Sequence, residues 1–98
     1  MEFTSKQRSY LKGLASTEDA IFQIGKSSVT PAIIQAISDA LEKRELIKIS
    51  VLKNCKDDPR ELAEIVAERT RSNVVIVIGK KIVLYRPNRK YPKIVLPK

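Results

Sequence analysis

The densest group of residues able to do chemistry is the run Gly25-Lys26-Ser27-Ser28, placed between a short apolar stretch and a strong helix start at Thr30-Pro31. A glycine after a strand lets the backbone turn sharply and approach a ligand closely. The helix that follows offers unpaired N–H groups and the positive end of its dipole, both of which suit a phosphate. Lys26 adds a mobile cation at the same place, and the hydroxyls of Ser27 and Ser28 can donate to phosphate oxygens. This is the chemistry of gripping a phosphate, with no bond made or broken. The run is not a P-loop, since it lacks the second glycine and the Gly-Lys-Ser/Thr ending at the required spacing. An ordinary turn between strand and helix has the same composition, so the loop gains meaning only from its surroundings.

Other reactive groups are sparse. Histidine is absent, which removes imidazole acid–base catalysis and nearly every zinc site. Cys55 is the one cysteine, so no disulfide framework can form and a reducing, cytoplasmic setting is expected. It falls in a connecting stretch with no base beside it, and is expected to be dispensable. Asp57-Asp58 directly precedes Pro59 and reads as a helix cap, while Glu61, Glu64 and Glu68 read as a solvated helix flank. Tyr85 suits either base stacking or the core. No catalytic residue, metal site or cofactor is expected.

Charge narrows the partner. Of 19 Lys/Arg and 11 Asp/Glu, residues 1–68 hold 10 basic and all 11 acidic side chains, whereas residues 69–98 hold 9 basic and none acidic. The excess of +8 therefore lies in the last third. A second acid-free stretch, residues 3–17, carries Lys6, Arg8 and Lys12. Segregation of this kind points to a polyanionic partner. The longest apolar run, residues 74–78, is too short to cross a bilayer, and the polar opening stretch gives no secretory signal. No membrane partner is expected.

The elements that must position these residues follow from spacing. A first helix is expected from Thr4 or Ser5 as N-cap, with Phe3, Tyr10, Leu11 and Leu14 as its apolar stripe. A strand over Ala20–Ile24 leads into the loop. Thr30-Pro31 opens a second helix, whose Ile33, Ile34, Ile37 and Leu41 recur at helical spacing. Leu46–Val51 alternates as a strand with one solvated face. Asp57 or Asp58 caps a third helix with Leu62, Ile65 and Val66 buried, joined by Ala63 and Ala67. Asn73–Ile78 is apolar enough to be covered on both sides, Gly79-Lys80 makes a two-residue hairpin turn, and Lys81–Arg86 returns. The tail carries Ile94-Val95-Leu96 toward a sheet edge or face. The order α-β-α-β-α-β-β, with right-handed crossovers, makes the first three strands parallel and the last antiparallel to its hairpin partner. The expected class is α/β, a two-layer sandwich on a mixed four-stranded sheet, with residues 1–98 as one domain.

The chain also resembles the YhbY family, proteins built on the CRM (chloroplast RNA splicing and ribosome maturation) domain. The resemblance runs through Thr4-Ser5-Lys6-Gln7-Arg8 and Leu11-Lys12-Gly13-Leu14-Ala15 of the opening helix, and through Ile24-Gly25-Lys26-Ser27-Ser28-Val29-Thr30. It continues in Glu45-Leu46-Ile47-Lys48-Ile49, in Gly79-Lys80-Lys81-Ile82-Val83-Leu84-Tyr85-Arg86-Pro87, and in Ile94-Val95-Leu96-Pro97. It implies a fold similar to the C-terminal domain of bacterial translation initiation factor three. It also implies RNA binding and association with ribosomal RNA in the precursor of the large ribosomal subunit. The Gly25–Ser28 run then takes the place of a GXXG loop, the device with which KH-type domains clamp nucleotide backbones. Ser28 replaces the second glycine, so a positive φ at this position would be uncomfortable.

Together these readings give a non-enzymatic RNA-binding protein, expected to act as a monomer. Phosphate contacts are expected from Gly25, Lys26, Ser27 and Ser28, from Lys6, Arg8 and Lys12, and from Lys80, Lys81, Arg86, Arg89 and Lys90. The alternatives are a basic domain that docks on an acidic protein partner or on double-stranded DNA.

Overall fold

The computed structural model describes residues 2–98; Met1, which begins the polar opening stretch, lies outside them. Seven elements follow one another in the expected order: α1 (Ser5–Ser16), β1 (Phe22–Ile24), α2 (Pro31–Arg44), β2 (Leu46–Val51), α3 (Pro59–Thr70), β3 (Asn73–Ile78) and β4 (Lys81–Tyr85). Each helix is started by a side-chain cap. Thr4 and Gln7 form a reciprocal capping box on α1, Thr30 accepts from the Ile33 N–H on α2, and Asp58 accepts from the Arg60 N–H on α3. Among the described residues no helix is long and apolar enough to cross a membrane.

The strands lie side by side in the order β1-β2-β4-β3. β1 runs parallel to β2, and β4 runs antiparallel to both β2 and β3. The first three strands therefore share one direction, but β4 inserts between β2 and β3. The apolar strand β3 consequently forms an edge. Regular pairing of β1 begins at Phe22 rather than Ala20, with the Ile21 N–H already donating to the Lys48 carbonyl at 3.0 Å.

α2 and α3 cover one face of the sheet, where Ile37, Leu41, Leu62 and Val66 meet Ile24, Ile47, Ile49, Ile82 and Leu84. The sandwich has a further, partial layer on the opposite face. There Leu11 and Ala15 of α1 pack on Leu46, Val75, Val83 and Tyr85, with Ile94 and Leu96 of the tail alongside. A bulge between Val74 and Ile76 turns the neighbours Val75 and Ile76 to this same face. Val95, the middle residue of the tail triplet, points outward.

Three side chains lie elsewhere than their spacing suggests. Tyr10 and Ile65 are exposed, since each sits about 100° around its helix from the buried neighbour that follows it. The α3 stripe is Leu62, Ala63, Val66, Ala67 and Thr70 instead. Cys55 is buried within the α2–α3 core although it lies in a connection.

The end of α2 supplies an anchor that sequence spacing does not announce. Glu45 caps the helix with φ +66° and is wholly buried. Its carboxylate accepts from three backbone N–H groups of the tail, those of Asn88 (2.7 Å), Lys93 (2.7 Å) and Ile94 (2.8 Å). Several charge-assisted bonds offset the cost of burying the charge, and they fix the tail so that Ile94 and Leu96 can pack.

Candidate nucleic-acid interface

The Gly25–Ser28 run is a tight turn in which the Ser28 N–H donates to the Gly25 carbonyl oxygen at 2.9 Å. It joins the carboxyl end of β1 to α2. Gly25 sits in a confined place: a Cβ there would stand 3.2 Å from the Asn54 Oδ1 and 3.4 Å from the Leu52 Cδ1, so those side chains would have to give by a few tenths of an ångström. Ser28 is required by conformation to tolerate φ +56°, in the region that favours glycine. Its hydroxyl donates to the Asp57 carboxylate just before α3. Lys26 and Ser27 project into solvent.

This geometry modifies the expected phosphate grip. Pro31 has no N–H, and Thr30 occupies the N–H of Ile33, so the first turn of α2 has fewer free donors than an uncapped helix. The Ser28 hydroxyl is engaged by Asp57 and serves the loop itself. Lys26, the Ser27 hydroxyl and the exposed loop backbone are the groups left to meet a phosphate.

The turn does not stand alone. The Leu52 N–H donates to the Ile24 carbonyl (2.8 Å), and the Val51 N–H donates to that of Lys80 (2.7 Å). These two bonds bring the loop, the Leu52–Lys56 connection and the Gly79-Lys80 hairpin to one end of the sheet. Lys26, Lys53, Lys56, Lys80 and Lys81 are all exposed there. Lys53 and Lys56 escaped the sequence reading because the first 68 residues are nearly neutral overall. The available signal was topological: adjacent parallel strands gather their following loops at their carboxyl ends, where open α/β sheets bind ligands.

The other expected contacts are dispersed. Lys6 is exposed on the first turn of α1, and Lys12 lies further along the same helix beside Lys48 and Lys81. Arg8 is committed to the fold. Its Nη1 donates to the Val74 (3.3 Å) and Val75 carbonyls at the bulged edge, and its guanidinium stacks on Phe3, 5.3 Å from the ring centre.

Arg86 is committed as well. Its guanidinium donates to the Ser38 Oγ (3.1 Å), the Ser38 carbonyl (2.8 Å) and the Thr70 carbonyl (2.7 Å), and it pairs with Glu42 at 3.3 Å. It ties α2 and α3 to the end of β4. Arg89 and Lys90 are exposed beside it, with Arg71, around a cleft of about 610 Å³. This group lies at the opposite end of β4 from Lys81, roughly 17 Å away along the strand to Arg86 at about 3.4 Å per residue. Tyr85 is core, in contact with Phe3 at 6.1 Å between ring centres, and is not available to stack a base. Burial pushes its phenol pKa up, and the nearby Glu45 charge adds to the effect.

Comparison with known proteins places this arrangement among relatives. The model of the CRS1 / YhbY (CRM) domain matches residues 3–86. The "Probable RNA-binding protein YqeI" of Bacillus subtilis is 44% identical over 94 residues, spanning 96% of this chain and 98% of that protein. An "RNA-binding protein" of Haemophilus influenzae is 32% identical over 95 residues, spanning 97% and 95% respectively. Among solved structures, that of the Staphylococcus aureus protein SAV1595 superposes with a TM-score of 0.81 at 50% identity, covering 98% of this chain and 100% of that one.

Proposed function

The chain belongs to the CRS1 / YhbY (CRM) domain family, and from that premise we propose that it is a non-enzymatic, cytoplasmic RNA-binding protein acting on ribosomal RNA during assembly of the large ribosomal subunit. The observation that carries the RNA-binding part is the gathering of Lys26, Lys53, Lys56, Lys80 and Lys81 around the Gly25–Ser28 turn at one end of the sheet. Relatives of nearly the same length are named RNA-binding proteins, which supports the same reading. The ribosomal target rests on the YhbY resemblance.

Residues 1–98 act as one domain, a monomer without a cofactor, and bind RNA as a rigid cationic surface. The lysines supply affinity and orientation through phosphates but carry little sequence information. Selection among RNAs comes from shape, 2′-hydroxyls and unpaired bases. Crosslinking in cells followed by sequencing of the attached RNA tests the proposal. Enrichment of large-subunit rRNA and its precursor is expected. Recovery dominated by messenger or transfer RNA, or no recovery above background, would overturn it.

A further inference from the structure

α1 and the tail cover only half of their sheet face. They lie over Leu46, Val75, Val83 and Tyr85, and they stop short of the end that carries the Gly25–Ser28 loop. Strand register defines what remains open. The open row runs Gln23, Ser50, Lys81, Ile78 across β1, β2, β4 and β3, and the next, Lys48, Val83, Ile76, is its border, with Val83 buried beneath α1 and Lys48 and Ile76 half-buried. Lys81 Nζ donates to the Ser50 Oγ at 3.0 Å within the first row. Lys12 of α1 rims a cleft of about 280 Å³ with Lys48 and Lys81, over a floor that includes Ile76, Ile78 and Val83. Among the described residues no carboxylate lines it. Ile78, on the edge strand β3 next to Lys81, is 60% exposed and continues the apolar floor to the rim of the sheet.

We propose that this open half-face is a binding track for single-stranded RNA, continuous with the loop end of the sheet. The inference rests on the RNA-binding reading above and specifies the form of RNA bound. Three cations without a nearby acid fit a phosphodiester chain. The apolar floor is what distinguishes single strands from duplex: a duplex presents phosphates and sugars outward and leaves Ile76 and Ile78 without a partner, whereas an unpaired strand can lay base and ribose faces on them. The floor is aliphatic and has no polar base-reading group, so the track tolerates many sequences. Gln23 lies two residues before Gly25, so the open row ends next to the Lys26 turn.

The test compares a blunt RNA hairpin with the same hairpin bearing an eight-nucleotide unpaired extension, by fluorescence anisotropy at fixed salt. The parent chain should bind the extended hairpin about fivefold or more tightly than the blunt one, the low end of what one base stacked on an aromatic ring gives, since this floor is aliphatic. Ile78→Ser and Lys48→Gln should each erase most of that gain and leave blunt-hairpin affinity and the thermal midpoint nearly unchanged. Equal affinity of the parent for both hairpins would overturn the track and leave RNA binding itself standing. So would an Ile78→Ser chain that keeps the gain, or polyglutamate that competes as well as an unpaired oligonucleotide of equal charge, which would make the face a general or protein-directed cationic patch. Binding of neither hairpin by the parent would instead strike at the RNA-binding reading on which the track depends.

Discussion

The hydroxyl of Ser28 donates to the carboxylate of Asp57, and this bond fastens the turn after β1 to the start of α3. Ser28 holds φ +56° at the position where the related GXXG pattern has glycine. The bond and the backbone conformation work against each other: one stabilises the turn, the other costs energy that a glycine would not incur.

Substitution at Ser28 separates the two effects. Ser28→Ala keeps the positive φ and loses the bond, so stability should fall by about 1 kcal/mol. Ser28→Gly loses the bond and relieves the strain, so it should be more stable than Ser28→Ala by about 1 kcal/mol. RNA affinity should hold or rise in Ser28→Gly, because the hydroxyl serves the fold and leaves phosphate contact to its neighbours. Urea denaturation of the three chains measures the first two quantities. Equal stability of the alanine and glycine variants would contradict the strain argument.

Glu45 should be among the most sensitive positions outside the apolar core. Glu45→Ala leaves the N–H groups of Asn88, Lys93 and Ile94 without their acceptor and frees the tail, at a cost of about 2–4 kcal/mol. Hydrogen exchange should show loss of protection at those three amides in particular. A uniform loss across the chain, or none, would show that the carboxylate does not hold the tail.

Cys55→Ser should destabilise by about 1–2 kcal/mol despite its place in a connection, since it puts a hydroxyl into an apolar site. RNA binding should be unchanged. A thermal midpoint equal to that of the parent would show the site to be wetter than its surroundings indicate.

Alkaline pH should unfold the protein partly through Tyr85. Its phenol is raised above the usual value near 10 by burial and then by Glu45. Below that value Tyr85 is protonated whether the chain is folded or unfolded, and its contribution is fully present. As the pH climbs past about 10, the unfolded chain ionises first and stability drains away until the folded phenol ionises too. Denaturation of parent and Tyr85→Phe between pH 8 and 11 should therefore diverge from about pH 10 upward, with the parent losing more. Parallel curves would contradict the shift.

Much of the fold is written in local pattern. Thr30-Pro31 and Asp58-Pro59 mark helix starts because cap and proline act within one turn, and Gly79-Lys80 marks a hairpin for the same reason. What escaped the pattern depends on contacts made across the fold. β4 enters between β2 and β3, a choice that no single strand encodes. Glu45 looks like any charged helix end until the tail, more than forty residues later, folds over it. Arg8 and Arg86 look like solvent cations, but the carbonyls they satisfy come from a bulge, from the middle of α2 and from the end of α3. For the site, the Gly25–Ser28 run was legible from its own residues. Net charge by segment misled about its neighbours: the basic last third divides between both ends of the sheet, while Lys26, Lys53 and Lys56 come from the nearly neutral part.

The central claim is that RNA meets the loop end of the sheet electrostatically, and the salt dependence of affinity tests it most directly. With about four to six phosphates neutralised, log K against log salt should fall with a slope of roughly −3 to −5 in the parent. The paired reversal Lys26→Glu with Lys53→Glu should weaken binding by at least about 1–3 kcal/mol and flatten the slope. The pair Arg89→Glu with Lys90→Glu, at the far end, should change both less. A parent slope near zero, or a far-end pair that abolishes binding while the loop-end pair leaves it intact, would contradict the account.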